Sequence, residues 1–469
     1  MALPSSVLWE ENRFYLAPED QEARVNGCRG PGSQDAVEAP REAMTMGARR
    51  WWALLLVALT GCASPATTRD AAPRTEEIAP RFVAGGPDAE MYGAANGYPI
   101  GDRSTFYDIP VLVGSHSHFD EVFEARLIHK APTPSRLVRV AEPAIAWKFQ
   151  GLELTLDDYL ARNPATGLLI ARGNTIFVER YQYGRTDRHR FTSWSMAKTV
   201  TAMLIGIAVG EGRIRSVDNL AAAYVPALSG MEYGRTSLRH LLQMSSGIRF
   251  SENYSGNDNV MRLVFDTYLL QGAGGVGAVT SFNERERPAG TKFSYASVET
   301  QVLGLVLRAV TGRPVAAYLE EKIWQPIGAE ADATWLIDNS GQEATFCCLN
   351  AVLRDYARLG LLLAHDGNWH GRQIIPAAWV RDATTVRADQ PHLRPGGPAP
   401  SFGYGYQTWI LPGERRMFLF WGVRGQRIYV DPQSKLVMVN TAVHKLSVDV
   451  AALREMDALW SALVSQFGG

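Results

Sequence analysis

Phe191–Ile214, FTSWSMAKTVTAMLIGIAVGEGRI, is the stretch on which the reading of the fold turns. Met203, Ile205, Ile207, Ala208 and Val209, with no proline among them, read as a mostly buried helix that Gly210 and Gly212 end. Ser195 and Lys198 stand at its start. Three residues apart on a helix, they share one face and lie close enough for a hydrogen bond. A serine hydroxyl is a weak nucleophile near neutral pH and needs a base beside it. A free lysine amine, with a pKa of about 10.4, is protonated and cannot serve. Burial at a helix start, where the dipole disfavours a cation, drives such an amine toward neutrality. The Ser195 N–H, unpaired in the first helical turn, can then face a developing oxyanion. The same pair also fits a capping serine and a solvated lysine, and Ser-x-x-Lys recurs by chance in a chain of this length. Other stretches have to decide between the two.

With 469 residues, 46% hydrophobic and 20% charged, the chain can bury a large core as one big or two intimate domains. A formal net charge of −1 gives no sign of a nucleic-acid partner. The cysteines are Cys28, Cys62, Cys347 and Cys348, without C-x-x-C or Cys/His zinc spacing, so no structural metal is expected. The adjacent Cys347 and Cys348 read as two buried thiols at a strand end, since neighbours seldom bond each other comfortably. His116-Ser117-His118 with Asp120 is the one hint of metal ligation, and a surface loop explains it as well.

Near the N-terminus, Arg49-Arg50 followed by the apolar run Trp51 to Leu59 is too short to span a bilayer and reads as a signal peptide. Leu59-Thr60-Gly61-Cys62 resembles the lipobox of bacterial lipoproteins. That resemblance implies cleavage before Cys62, diacylation of its thiol and a lipid anchor in the cell envelope, and Ala63 after the cysteine favours the outer membrane. The expected organisation is a non-native extension over 1–43, a signal peptide over 44–61, a flexible tether over 62–80 and an irregular segment over 81–150. One large domain then covers 151–466.

Within that domain, two β-rich runs flank Gly173-Asn174 as a hairpin. The nucleophile helix follows. Asp218–Leu228, Ser237–Met244, Val260–Leu270, Thr300–Thr311 and Val315–Ile323 make a largely helical middle, about 212–335. Amphipathic helices follow at Arg354–His365 and Pro376–Ala383. Tyr404–Ile410, Met417–Trp421, Gln426–Val430 and Leu436–Thr441 run like strands, and Val448–Gln466 closes as a helix. The fold class is α/β in the α+β sense: an antiparallel sheet flanked by helices, with an inserted all-helical domain.

Two further stretches supply what Ser195 and Lys198 lack. Tyr295, in a turn before a helix, offers a phenol that can pass a proton to a leaving group. Phe420-Trp421-Gly422-Val423 is a strand whose glycine allows close approach of another chain, and the Val423 N–H can be a second oxyanion donor.

In this order, Ser195-Met196-Ala197-Lys198, Tyr295-Ala296-Ser297 and Trp421-Gly422-Val423 resemble the class C β-lactamase-like serine hydrolases. Those include penicillin-binding proteins, EstB-type esterases and 6-aminohexanoate-dimer hydrolases, and the last branch is the nearest in look. Arg239 to Gly247, Leu353 to Gly360 and Gly425-Gln426 with Tyr429 to Pro432 carry the likeness across roughly 150–466. The resemblance implies a β-lactamase/transpeptidase-like fold and an acyl-enzyme mechanism that needs no metal or organic cofactor. Ser195 attacks, Lys198 and Tyr295 move the proton, and the N–H groups of Ser195 and Val423 hold the oxyanion. Ser297, Trp421, Gly422 and Arg424 are the implied substrate contacts.

The departures are informative. The strand tripeptide Lys-Thr-Gly of β-lactamases is here Phe420-Trp421-Gly422, without a cation unless Arg424 stands in. Tyr-x-Asn is Tyr295-Ala296-Ser297. Both changes argue against efficient β-lactam turnover and for hydrolysis of esters or small amides. A peptidoglycan D-aminopeptidase or carboxypeptidase, a weak β-lactamase and a non-catalytic ligand-binding lipoprotein are the competing readings.

Overall fold

The computed structural model describes residues 78–398 and 401–469. The expected 1–43 extension and signal peptide, Cys62 and most of the expected tether lie outside these residues.

The elements that position the site, in chain order, begin with strands β1 (Arg81–Phe82), β2 (Ala125–Ile128), β3 (Val138–Arg139), β4 (Ala165–Arg172), β5 (Thr175–Tyr181) and β6 (Phe191–Thr192). Helices α1 (Met196–Gly210) and α2 (Ser297–Thr311), strands β7 (Ala333–Leu336) and β8 (Leu349–Ala351), and helix α3 (Leu353–Ala364) follow. Strands β9 (Gly403–Tyr404), β10 (Trp409–Ile410), β11 (Phe418–Trp421), β12 (Arg427–Asp431) and β13 (Leu436–Ala442) lead to the closing helix α4 (Val450–Phe467).

The main sheet runs β1-β5-β4-β13-β12-β11-β10-β9, with β3 also on β5. The β4–β5 hairpin turns at Gly173, whose φ of +59° suits glycine. The last of these strands, β13, pairs with β4 from the start of the domain and so joins the two halves of the sheet. Strand residues alternate between two cores, as a period of two requires. Leu169, Phe420, Ile428 and Val439 pack under the helices that include α1 and α3. Leu168, Leu419, Tyr429 and Met438 face Met456, Leu459, Trp460 and Leu463 of α4. A sheet covered on both faces explains why these strands read as near-continuous apolar runs.

A second, small sheet, β2-β7-β8-β6, presents the start of α1. The segment before residue 150, expected to be irregular, supplies β2 to this sheet and β1 and β3, both parallel, to the main one.

Three further expectations differ in detail. Asp218–Leu228 is not one helix but two short turns, Ala221–Ala223 and Pro226–Leu228, because Pro226 has no N–H to continue a ladder. Tyr404–Ile410 is not one strand: β9 and β10 pair antiparallel around Gln407, which sits at φ +54°. Cys347 and Cys348 are buried as expected, but they are joined in a disulfide rather than standing as two thiols.

Candidate active site

The nucleophile turn is set by backbone pairing. Ser193 donates from its N–H to Leu349 O at 2.7 Å and accepts at Oγ from the Leu349 N–H at 3.0 Å, which ties the end of β6 to β8. Trp194 then turns through φ +43°, and Ser195 caps α1. Helix α1 is buried from Met196 to Ala208, apolar almost all round, as befits a helix through the middle of a core.

Lys198 is 1% exposed. Its Nζ lies 2.8 Å from Ser195 Oγ and 3.0 Å from the Phe346 carbonyl oxygen. No carboxylate among the described residues touches it. Burial lowers its pKa to about 8, against a smaller opposing pull from the charge of Glu252. Tyr295 comes from the turn before α2 and hydrogen-bonds Ser195. Burial raises its phenol well above the ordinary value, so it carries its proton at neutral pH. The Lys198 ammonium sits 4.9 Å from the centroid of that ring, and Trp409 stacks on it at 5.7 Å.

Strand β11 brings the fourth part. A Cβ on Gly422 would meet Ser193 O at 2.5 Å and Trp194 Cβ at 3.0 Å, so only glycine lets the strand come this close to the nucleophile turn. No described residue accepts from the N–H of either Ser195 or Val423. Both residues line a cavity of about 480 Å³, together with Tyr295, Trp409, Trp421 and Phe402. Leu446, Val448, Val450 and Leu453, at and before the start of α4, add an apolar wall.

The structure thus gathers Ser195, Lys198, Tyr295, Trp421, Gly422 and Val423. Two expected contacts are corrected. Ser297 does not face the cavity: it is buried, and its Oγ and N–H both donate to Glu252 at 2.7 Å. It is Glu252 that lines the cavity, also held by the Tyr254 hydroxyl at 3.1 Å, and burial raises its carboxyl pKa. Arg424 is not a stand-in cation. At φ +58° its side chain turns inward, donating from Nη1 to His444 O at 2.7 Å and Lys445 O at 2.9 Å.

Two other cations line the cavity, Arg454 on α4 and the buried Arg427, one strand over from β11. Arg427 is the one beside Trp421 of β11: its guanidinium carbon lies 3.7 Å from the Trp421 ring centroid, and Asp457 is 4.0 Å from Nη1. Nε and Nη2 are buried without a partner among the described residues. The alternation along β12 put Arg427 and Trp421 in register, a cue the linear reading passed over. Glu252 gave no local cue, because its loop reaches the site only through tertiary folding.

The His-x-His stretch holds no metal cluster: among the described residues no three ligand-type side chains converge. His116 is buried, and burial together with nearby Arg424 lowers its pKa well below the usual histidine value. His118 Nδ1 bonds the Gly114 carbonyl at 2.9 Å.

Comparison with known proteins agrees with this arrangement. The family model described as Beta-lactamase matches residues 152–451. The 6-aminohexanoate-dimer hydrolase of Paenarthrobacter ureafaciens is 25% identical over 374 residues, spanning 75% of this chain and 90% of that one. A Bacillus anthracis protein assigned as a 6-aminohexanoate-dimer hydrolase superposes with a TM-score of 0.69 at 24% identity, covering 78% of this chain and 97% of its own. A penicillin-binding protein homologue from Caulobacter crescentus gives 0.50 at 18% identity, covering 65% and 94%. At such identities the structural likeness is one of fold.

Proposed function

The chain belongs to the beta-lactamase family, and from that premise we propose that it is a serine hydrolase of esters or small linear amides, of the 6-aminohexanoate-dimer hydrolase and esterase kind. The observation that carries this is the 2.8 Å contact between Ser195 Oγ and a buried, carboxylate-free Lys198 amine. In the reaction, neutral Lys198 takes the hydroxyl proton as Ser195 Oγ attacks the substrate carbonyl carbon. The carbonyl oxygen becomes an oxyanion held by the N–H groups of Ser195 and Val423, each worth about 3 kcal/mol in such a site. Tyr295 gives its phenolic proton to the leaving alcohol or amine as the tetrahedral centre collapses to an acyl-enzyme, and regains one from the Lys198 ammonium. Water then attacks the ester carbonyl by the same route and frees the acid.

Reaction of Ser195 with a fluorophosphonate probe, lost in Ser195→Ala, tests the reading. A folded wild type that resists the probe favours the non-catalytic ligand-binding alternative. A carboxypeptidase is the second reading, and Arg427 favours it, since its buried Nε and Nη2, without partners among the described residues, suit a carboxylate at the substrate's end. Assay of nitrophenyl esters, a linear amide, a D-amino-acid peptide and nitrocefin side by side separates the two. Export and diacylation at Cys62, placing the enzyme on the outer membrane, belong to the same proposal. The mass of the mature N-terminal peptide from bacterial membranes reads them directly.

A further inference from the structure

Two residues other than glycine hold left-handed backbone beside the two oxyanion donors. Trp194, at φ +43°, immediately precedes Ser195, and Arg424, at φ +58°, immediately follows Val423. A side chain disfavours that conformation, which persists only where the surroundings over-determine it. Both are held by the same group. The Tyr107 ring lies 5.4 Å from that of Trp194, and the Arg424 guanidinium carbon lies 4.6 Å from the Tyr107 centroid. The phenol and the guanidinium also hydrogen-bond. Phe119 and His116 pack on Trp194 at 5.2 and 5.5 Å, so one aromatic cluster from 107–119 grips the nucleophile turn. On its far side Arg424 is anchored to the carbonyls of His444 and Lys445, and its N–H donates to Ser447 O at 2.8 Å. All of 107–119 precedes the family match, which begins at residue 152.

We propose that Tyr107 is a positioning residue for the oxyanion pocket. It ties the Trp194–Ser195 turn to the Val423–Arg424 turn and so sets the spacing of the two N–H donors. Tyr107 is not among the residues that line the cavity. It acts through the two turns, which meet directly on their other side at Gly422 and Ser193. Oxyanion donors work only within a few tenths of an ångström of hydrogen-bond distance, so a clamp across both controls the rate rather than ground-state binding. The role rests on the serine hydrolase reading above.

The test compares wild type, Tyr107→Phe and Tyr107→Leu on a nitrophenyl ester and on an alkylboronic acid, whose tetrahedral adduct on Ser195 puts an oxygen in the pocket. Tyr107→Leu is expected to lose about tenfold or more in kcat with KM within about twofold, and to weaken boronate inhibition by the same factor. Tyr107→Phe keeps the ring between Trp194 and Arg424 and is expected to recover most of both. Wild-type kcat and boronate affinity in Tyr107→Leu overturn the proposal, as does an equal loss of substrate and boronate binding. Should Tyr107→Leu not fold, Arg424→Lys, which gives up the planar group facing Tyr107, carries the test on the same criteria. A wild type that takes neither boronate nor fluorophosphonate contradicts the hydrolase reading itself. A reactive wild type with an unchanged Tyr107→Leu contradicts only the clamp.

Discussion

Lys198 on α1 and Arg358 on α3 are both about 1% exposed, yet their surroundings differ in kind. Arg358 donates to Asp355 at 2.9 Å and lies 2.9 Å from Glu330, with Ser135 completing its bonds. Its neighbour Arg354 is matched by Glu179, Asp187 and Glu330, and against the opposing pull of burial Glu179 and Glu330 hold its pKa above the usual arginine value. Lys198 has a hydroxyl and a carbonyl, and no carboxylate in contact. Burial alone costs both cations. A contacting carboxylate repays that cost and fixes the charge, whereas withholding it leaves an amine that can give up its proton near neutral pH. The scaffold and the site treat the same buried charge oppositely.

Substitutions that exchange these roles are the sharpest way to break the comparison. Ser195→Ala should show the largest effect, a loss of about 10⁴-fold or more in kcat by ester hydrolysis with an unchanged denaturation midpoint. Lys198→Met should lose about 10²- to 10⁴-fold in turnover yet little stability, because no buried carboxylate is stranded. Arg358→Met should do the reverse, costing about 3–5 kcal/mol in denaturant titration by leaving the buried Asp355 carboxylate with backbone N–H donors but no cation. Equal destabilisation by the two methionines would break the comparison. Tyr295→Phe should lose about 10²-fold in turnover, since Lys198 then has no partner for the leaving group. The smallest effect is Glu252→Gln. The carboxylate favours the ammonium form of Lys198, so its removal should move the inflection in a pH–rate profile downward.

The parts of the site that were legible in the sequence are those that one short stretch supplies whole. Ser195 and Lys198 share a helical turn, Tyr295 precedes a helix, and Gly422-Val423 marks a strand that must come close. Glu252, Arg427 and Tyr107 were not legible, because each reaches the site from a loop, a neighbouring strand or a segment distant in sequence. Arg424 shows the limit well. Linear proximity to Val423 pointed it at the substrate, but a left-handed backbone turned it inward, and the alternating pleat gave the cavity to Arg427 instead. A sheet with helices between was readable from strands at both ends, and its β-lactamase-like character from the ordered motifs' resemblance, while the Gln407 turn and the Cys347–Cys348 disulfide rest on single-residue geometry that periodicity does not encode.

The buried amine as base is tested most directly by the rate at which Ser195 takes a fluorophosphonate, followed by intact-protein mass from about pH 6 to about pH 10. The rate should rise with pH along a single ionisation near 8, as Lys198 loses its proton, and the rise should vanish in Lys198→Met. A rate flat across that range, or an unchanged profile in Lys198→Met, would contradict it.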